Sequence, residues 1–267
     1  MRTIMGRAYL TKKGALAGLI LLAILAAALF STGCATSLQD REQATSHVKM
    51  GTAYLVSGHF SPALREFLMA QRLSPDDPEI RYYTGLAYAE NGLREEAKKQ
   101  FETALSMRPD YSEAHTHLGR MYLEEGLYDR AIEEFNRALS NMLYKTPAIA
   151  LNNMGWAYYK KGDSRKAIAQ YEAALRREPG TVIRPVIQQN RGIAYLAAND
   201  TGKAIYYLKQ AIGDAPGMTD VHYWLGIAYL EAGHRDKAIQ ELRLVAETNP
   251  ESVLGSQARE KLDTLLP

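Results

Sequence analysis

Residues 81–109 carry small and apolar side chains at helical spacing in two short runs parted by a glycine. The first run holds Tyr82, Gly85, Leu86 and Tyr88, and the second holds Ala97, Phe101 and Ala104. Steps of three and four residues put each set on one face of a helix. Gly92 stands between the runs, where a tight helix–helix turn needs a positive φ, and Pro109 cannot continue the second helix. The pattern predicts two short antiparallel helices. They should cross where Gly85 and Ala97 let the backbones approach, with Tyr88 and Phe101 filling the space beside the crossing. One such pair cannot bury its own apolar face, so it needs neighbours of the same kind.

The neighbours are there. The first-helix glycine recurs as Gly51, Gly85, Gly119, Gly155, Gly192 and Gly226, at spacings of 34, 34, 36, 37 and 34 residues. Three residues after each stands a tyrosine: Tyr54, Tyr88, Tyr122, Tyr158, Tyr195 and Tyr229. Twelve after each stands an alanine, from Ala63 to Ala238, and sixteen after come Phe67, Phe101, Phe135, Tyr171, Leu208 and Leu242. The turn position is glycine except at Asn199, the residue next most tolerant of a left-handed turn. This skeleton resembles the tetratricopeptide repeat. The resemblance implies an all-α, right-handed solenoid of six helix-turn-helix repeats over residues 44–250 and a capping helix in residues 251–267. Gln257, Arg259, Glu260, Lys261 and Asp263 would form the outer side of that cap, which must stay soluble. Repeats three and four carry extra residues near Leu143 and Pro147 and near Gly180 and Arg184. These predict either a longer second helix or a local change of pitch that shapes a groove between repeats three and five.

The N-terminus reads differently. Arg2, Arg7, Lys12 and Lys13 precede the apolar residues 14–30, the charged and hydrophobic regions of a targeting segment. Seventeen apolar residues sit at the short edge of what spans a bilayer, so a retained anchor is one alternative and a plain signal peptide another. Ser31-Thr32-Gly33-Cys34 holds the single cysteine of the chain and resembles a bacterial lipobox, with Ser31 where leucine is usual. That resemblance implies cleavage of residues 1–33, acylation of Cys34 and a tether over residues 34–43. Several acyl chains on one residue anchor a protein stably, where one is marginal. Ala35 follows in place of aspartate, which leans toward the outer membrane. Ser37 with Asp40 three residues on predicts a helix start, so the array should lie close to the membrane surface.

Removing residues 1–33 takes away four basic residues and no acid, and the net charge moves from +2 to −2. That excludes the clustered basic surface of a nucleic-acid binder.

The first helix of each repeat should line the concave face, with positions three before, one after and four after each glycine pointing inward. The predicted partner groove holds Val48, Thr52, Leu55, Tyr82, Leu86, Arg120, Asn152, Trp156, Tyr159 and Tyr223. Its mostly apolar lining suits an amphipathic helix or an extended apolar segment. Leu55, Leu123 and Leu196 are equally readable as core. For Tyr82, Trp156, Tyr159 and Tyr223 docking is favoured, because aromatics with a polar tip are enriched where partners bind. Arg120 and Asn152 alone cannot form the lysine–asparagine clamp of repeat proteins that hold a terminal carboxylate.

The remaining chemistry is sparse. His115 and His117 are two apart, so they face different directions on a helix and make no metal pair. His47, His115 and His222 read as packing residues, and the acid pairs Glu95-Glu96 and Glu133-Glu134 as solvated faces. There is no nucleophile elbow, phosphate loop or paired cysteine. An enzyme, a cofactor, a metal and a small-molecule substrate are not expected.

A lipid anchor, six repeats and a cap resemble the type IV pilus biogenesis lipoproteins of the PilF/PilW/Tgl group. The resemblance implies an outer-membrane, periplasm-facing pilotin that binds the pilus secretin and promotes its localisation and multimer assembly. The secretin segment would sit on the N-terminal repeats, around Val48, Leu55, Tyr82 and Leu86. Two other readings stay open: an envelope adaptor for peptidoglycan hydrolases, and a structural member of a polysaccharide or outer-membrane-protein assembly machine.

Overall fold

The computed structural model describes residues 37–266; the predicted export segment, Cys34 and the start of its tether lie outside the described residues. Within them the chain forms thirteen helices. They are α1 (Leu38–Val56), α2 (Phe60–Leu73), α3 (Pro78–Glu90), α4 (Arg94–Met107), α5 (Ser112–Glu124) and α6 (Tyr128–Ser140). There follow α7 (Pro147–Lys160), α8 (Ser164–Arg177), α9 (Arg184–Ala197), α10 (Thr201–Asp214), α11 (Thr219–Glu231), α12 (Arg235–Thr248) and α13 (Val253–Leu265). Contacts divide the chain after Asp76 into a first unit with α1 and α2 and a second with α3 to α13.

Each helix pair is built from the same parts. The turn residues Gly58, Gly92, Gly126, Gly162 and Gly233 have φ between 75° and 83°, and Asn199 has φ 58°. The residue after each turn donates its N–H to the carbonyl of the repeat tyrosine, as Leu93 does to Tyr88 at 2.9 Å and Asp200 to Tyr195 at 2.9 Å. This closes the first helix in a Schellman-type cap and satisfies carbonyls the helix end would leave bare. At the other ends, Ser37 and Asp40 form a reciprocal capping box on α1, and Asp77 accepts from Glu79 N–H at 2.8 Å with Pro78 opening α3.

The first-helix glycine is a seat for the side chain sixteen residues on. A methyl group built on Gly85 would come within 2.7 Å of the Phe101 ring, and one on Gly155 within 2.6 Å of Tyr171. Gly51, Gly119, Gly192 and Gly226 receive Phe67, Phe135, Leu208 and Leu242 in the same way. The crossing is thus glycine against a large side chain, with the second-helix alanines, such as Ala97 and Ala104, fully buried on either side of it. Where leucine replaces the ring the seat is equally tight: the added methyl on Gly192 would lie 2.7 Å from Leu208 Cγ and 3.3 Å from the Ala204 carbonyl oxygen.

In the second unit every helix packs on the next, and first helices of successive pairs touch as well: α5 with α7, α7 with α9, α9 with α11, and α11 with α13. Contact climbs from pair to pair, as in a solenoid. The closing helix α13 lays Ala258 and Leu262 over Tyr223, Leu242 and Val245. Its Gln257, Arg259, Glu260, Lys261 and Asp263 are exposed.

The extra residues of repeats three and four do not lengthen a helix. α6 and α8 have 13 and 14 residues, like their counterparts, and the additions sit in the linkers. Pro147 opens α7 as its first-turn proline. Tyr144 turns back into the core, where its hydroxyl lies 2.9 Å from Thr116 Oγ1, and Ile183 packs on the same cluster.

Tyr171 fills the seat that Phe67, Phe101 and Phe135 fill elsewhere, but its buried hydroxyl has no hydrogen-bond partner among the described residues. Burial raises its pKa, as expected for a phenol cut off from water. Tyr171→Phe should therefore stabilise the protein by about 1 kcal/mol in urea unfolding, because it removes an unmet desolvation cost without opening a cavity.

Candidate functional site

The face predicted to bind a partner is carried by the first helices. In the first unit, Val48, Thr52 and Leu55 on α1 are half-buried, and Thr52 Oγ1 donates to the Val48 carbonyl at 2.8 Å. In the second unit the predicted residues separate into a buried and an open set.

Tyr82 belongs to the buried set. It is 9% exposed and packs among Tyr83, Phe101, Tyr111 and His117, with ring centroids 5.0 Å from Tyr111 and 5.6 Å from His117. Tyr223 is 7% exposed, under the closing helix. Their hydroxyl pKa values are raised, chiefly by burial. Both therefore serve the core, and the docking role expected of them gives way to packing. A tyrosine position does not tell from sequence which neighbour will cover it. Asn152 is also buried; its Oδ1 accepts from Asn190 Nδ2 at 3.0 Å and ties α7 to α9.

The open set centres on α7. Trp156 and Tyr159 stack with centroids 4.9 Å apart and an interplanar angle of 29°, and Lys160 Nζ lies 5.0 Å over the Trp156 ring. Both rings are half-buried, and partial burial raises the Tyr159 pKa. Leu86, Arg120 and Leu123 are half-buried on neighbouring first helices, whereas Leu196 is in the core. Arg120 Nε lies 3.8 Å from Glu124 Oε1. An aromatic pair with a cation at its edge offers apolar area, polar tips and low side-chain entropy, the makings of a protein-docking patch.

A second constellation was not anticipated. Three histidines four residues before the repeat glycine reach glutamates nineteen residues on: His47 to Glu66 at 2.7 Å, His115 to Glu134 at 2.6 Å, and His222 to Glu241 at 2.5 Å. In one of the three pairs without a histidine there, Arg81 Nη1 donates to Gln100 at 3.4 Å across the same spacing. Glu134 is thus buried, 6% exposed and also bound by Arg137 at 2.8 Å; only its neighbour Glu133 keeps the solvated place expected of both. His115 and Glu134 line a cleft of about 510 Å³ between α4, α5 and α6. The second ring nitrogen of His115 faces the Pro109 carbonyl at 2.9 Å. Both ring nitrogens of His115 are therefore engaged by oxygens of the protein, one on α6 and one on the chain before α5. Its chemistry is to fasten two helices.

His117 points the other way. It stacks on Phe101 at 5.6 Å, its Nδ1 is buried without a hydrogen-bond partner among the described residues, and burial, with Arg120 nearby, pushes its pKa down to about 3. The folded state keeps it neutral while the unfolded state takes up a proton below about pH 6.5. The stability this preserves is whole above that pH and is lost as pH falls from there toward 3. Between about pH 6 and 4, wild type should lose up to about 1.4 kcal/mol per pH unit relative to His117→Phe, which urea unfolding at several pH values would measure.

Family models described as tetratricopeptide repeat match residues 48–97, 110–177 and 195–262. No curated protein matches the chain. Among solved structures, PilW, described as a widely conserved type IV pilus biogenesis factor, aligns with TM-score 0.73 and 19% identity over 80% of this chain and 97% of its own. Pseudomonas aeruginosa PilF aligns with TM-score 0.72 and 14% identity over 84% of this chain and 99% of its own. A chain of the APC/C hetero-tetramer Cut9-Hcn1 gives TM-score 0.74 and 22% identity over 85% of this chain, which spans only 43% of that longer one. At these identities the likeness is one of fold. The chain is a tetratricopeptide-repeat protein.

Proposed function

We propose that this protein is an outer-membrane pilotin, anchored through Cys34 and facing the periplasm, that binds the type IV pilus secretin and promotes its localisation and multimer assembly. The observation that carries the reading is one of extent. Alignment to PilW and PilF runs over 97% and 99% of those chains, so the match takes in nearly the whole of each. The Ser31-Thr32-Gly33-Cys34 sequence supports the anchor.

Within this reading the secretin segment docks on the first-helix face of the second unit, against the Trp156–Tyr159 stack. Tyr82 is too buried to serve, since an alanine there would open a cavity among Phe101, Tyr111 and His117. The half-buried rings can be removed with less damage. An extended apolar or amphipathic segment would lay side chains against them and leave Lys160 at the rim.

The test is a strain deleted for this gene, with envelope fractions probed for the detergent-resistant secretin multimer. The multimer should vanish or move to the inner membrane, and the wild-type gene should restore it. Trp156→Ala with Tyr159→Ala should fail to restore it and weaken secretin binding at least tenfold, with helicity unchanged by circular dichroism. Normal multimers in the deletion strain would remove the pilotin reading and favour the envelope adaptor.

A further inference from the structure

The two lengthened linkers share a composition that the fold does not use. At the other junctions the chain turns through short polar or proline-bearing sequences such as Ser74-Pro75-Asp76 and Arg108-Pro109-Asp110. The linker between α6 and α7 instead holds Met142 and Leu143, 93% and 87% exposed, and that between α8 and α9 adds Val182, 94% exposed, after its own Pro179. The same linkers turn Tyr144 and Ile183 inward onto one core cluster. Each insertion thus sends one side chain in and its apolar neighbours out.

Both linkers lie at one end of the α7–α8 pair. Glu178, at the end of α8, accepts the Ala148 N–H at the start of α7 at 3.3 Å, which ties the two together. Val186 and Ile149, each 38% exposed, continue the apolar edge onto the helices. Around it stand exposed cations. Lys145 and Arg177 have no ion pair among the described residues, and Arg176 keeps only a 3.8 Å contact to Glu172. Of the nearby acids, Glu178 accepts from Ala148 and Asp214 pairs with Arg184 at 3.1 Å, which leaves exposed Asp110, whose carbonyl accepts from Asn141 Nδ2 at 3.1 Å, as a carboxylate outnumbered by these cations.

Aliphatic tips that bury nothing, ringed by unpaired lysine and arginine, match a surface that is apolar within and negatively charged at its face. We propose that this edge of the α7–α8 pair contacts the headgroup layer of an anionic phospholipid bilayer. Met142, Leu143 and Val182 enter the interface, and Lys145, Arg176 and Arg177 meet the phosphates. The aliphatic character and the charge complementarity select a membrane over a protein pocket, whose anchors would be aromatic. The proposal is independent of what the first-helix face binds.

The test places an environment-sensitive nitrobenzoxadiazole label on the full chain through Leu143→Cys or Val182→Cys. The parent chain, labelled alongside, accounts for any signal at Cys34, and Glu95→Cys on α4 serves as an exposed control. Emission is read with phosphatidylcholine vesicles and with vesicles containing phosphatidylglycerol. The labels at 143 and 182 should shift to the blue and be quenched by brominated lipid with anionic vesicles alone, the label at 95 should not respond, and Lys145→Glu with Arg177→Glu should abolish the response. No shift with anionic vesicles overturns the proposal, as does an equal shift with neutral ones. A shift that grows with protein concentration in the absence of vesicles also overturns it, and makes the edge a contact between copies of this chain.

Discussion

Everything in this fold hangs on one close approach: a glycine on the first helix of each pair receives the side chain sixteen residues later. With a methyl on Gly85 only 2.7 Å from the Phe101 ring, no other residue fits without displacing that ring from its seat. That seat fixes the depth at which the two helices cross, and the flanking alanines, fully buried, follow from it. Once the crossing is fixed, the apolar face left over must be covered by the next pair, and the array builds itself one interface at a time. The seat also tolerates variation of a defined kind. Leucine fills the seat in place of the ring at Leu208 and Leu242, and tyrosine at Tyr171 fits at the cost of a stranded hydroxyl.

A polar rung runs beside this apolar seat. The nineteen-residue spacing from His47 to Glu66, His115 to Glu134 and His222 to Glu241 spans the same helix crossing as the glycine and its ring. Polar pairs so placed fasten the two helices in register, and burial of Glu134 is sustained because His115 and Arg137 both engage it. The pairs occur in some repeats and not others, so they reinforce a crossing that glycine and alanine already define.

How much of this could be read from the chain depends on the range of the interaction. The turn glycines and Asn199 were legible because positive φ is a local demand that few residues meet. The capping box at Ser37 and Asp40 was legible for the same reason. The ring-on-glycine seat was only half visible: its periodicity was plain, but Gly85 was expected against Ala97 when it in fact holds Phe101. The histidines look like packing residues in the sequence because their partners lie on the facing helix, and the constant spacing of nineteen to a glutamate is the signal that pairs them. Tyr82 and Tyr223 show the limit most clearly. Standing three residues before the repeat glycine, they share a helical face with Trp156 and Tyr159, one and four after it, yet Tyr111 with His117 covers one and the closing helix covers the other. Side-chain exposure in a solenoid is decided by the neighbouring repeat, which single-position reasoning does not see.

What remains open on the first-helix face is small and chemically defined: two stacked rings, a lysine at their edge and half-buried leucines on adjacent helices. That patch is where the proposed secretin segment would be held. Photocrosslinking tests it most directly, with p-benzoylphenylalanine replacing Tyr159 and irradiation of intact cells. The account predicts a covalent adduct with the pilus secretin at that position and none when the same group replaces Glu95 on α4. An adduct with a different envelope protein, or secretin captured from Glu95 and not from Tyr159, would contradict it.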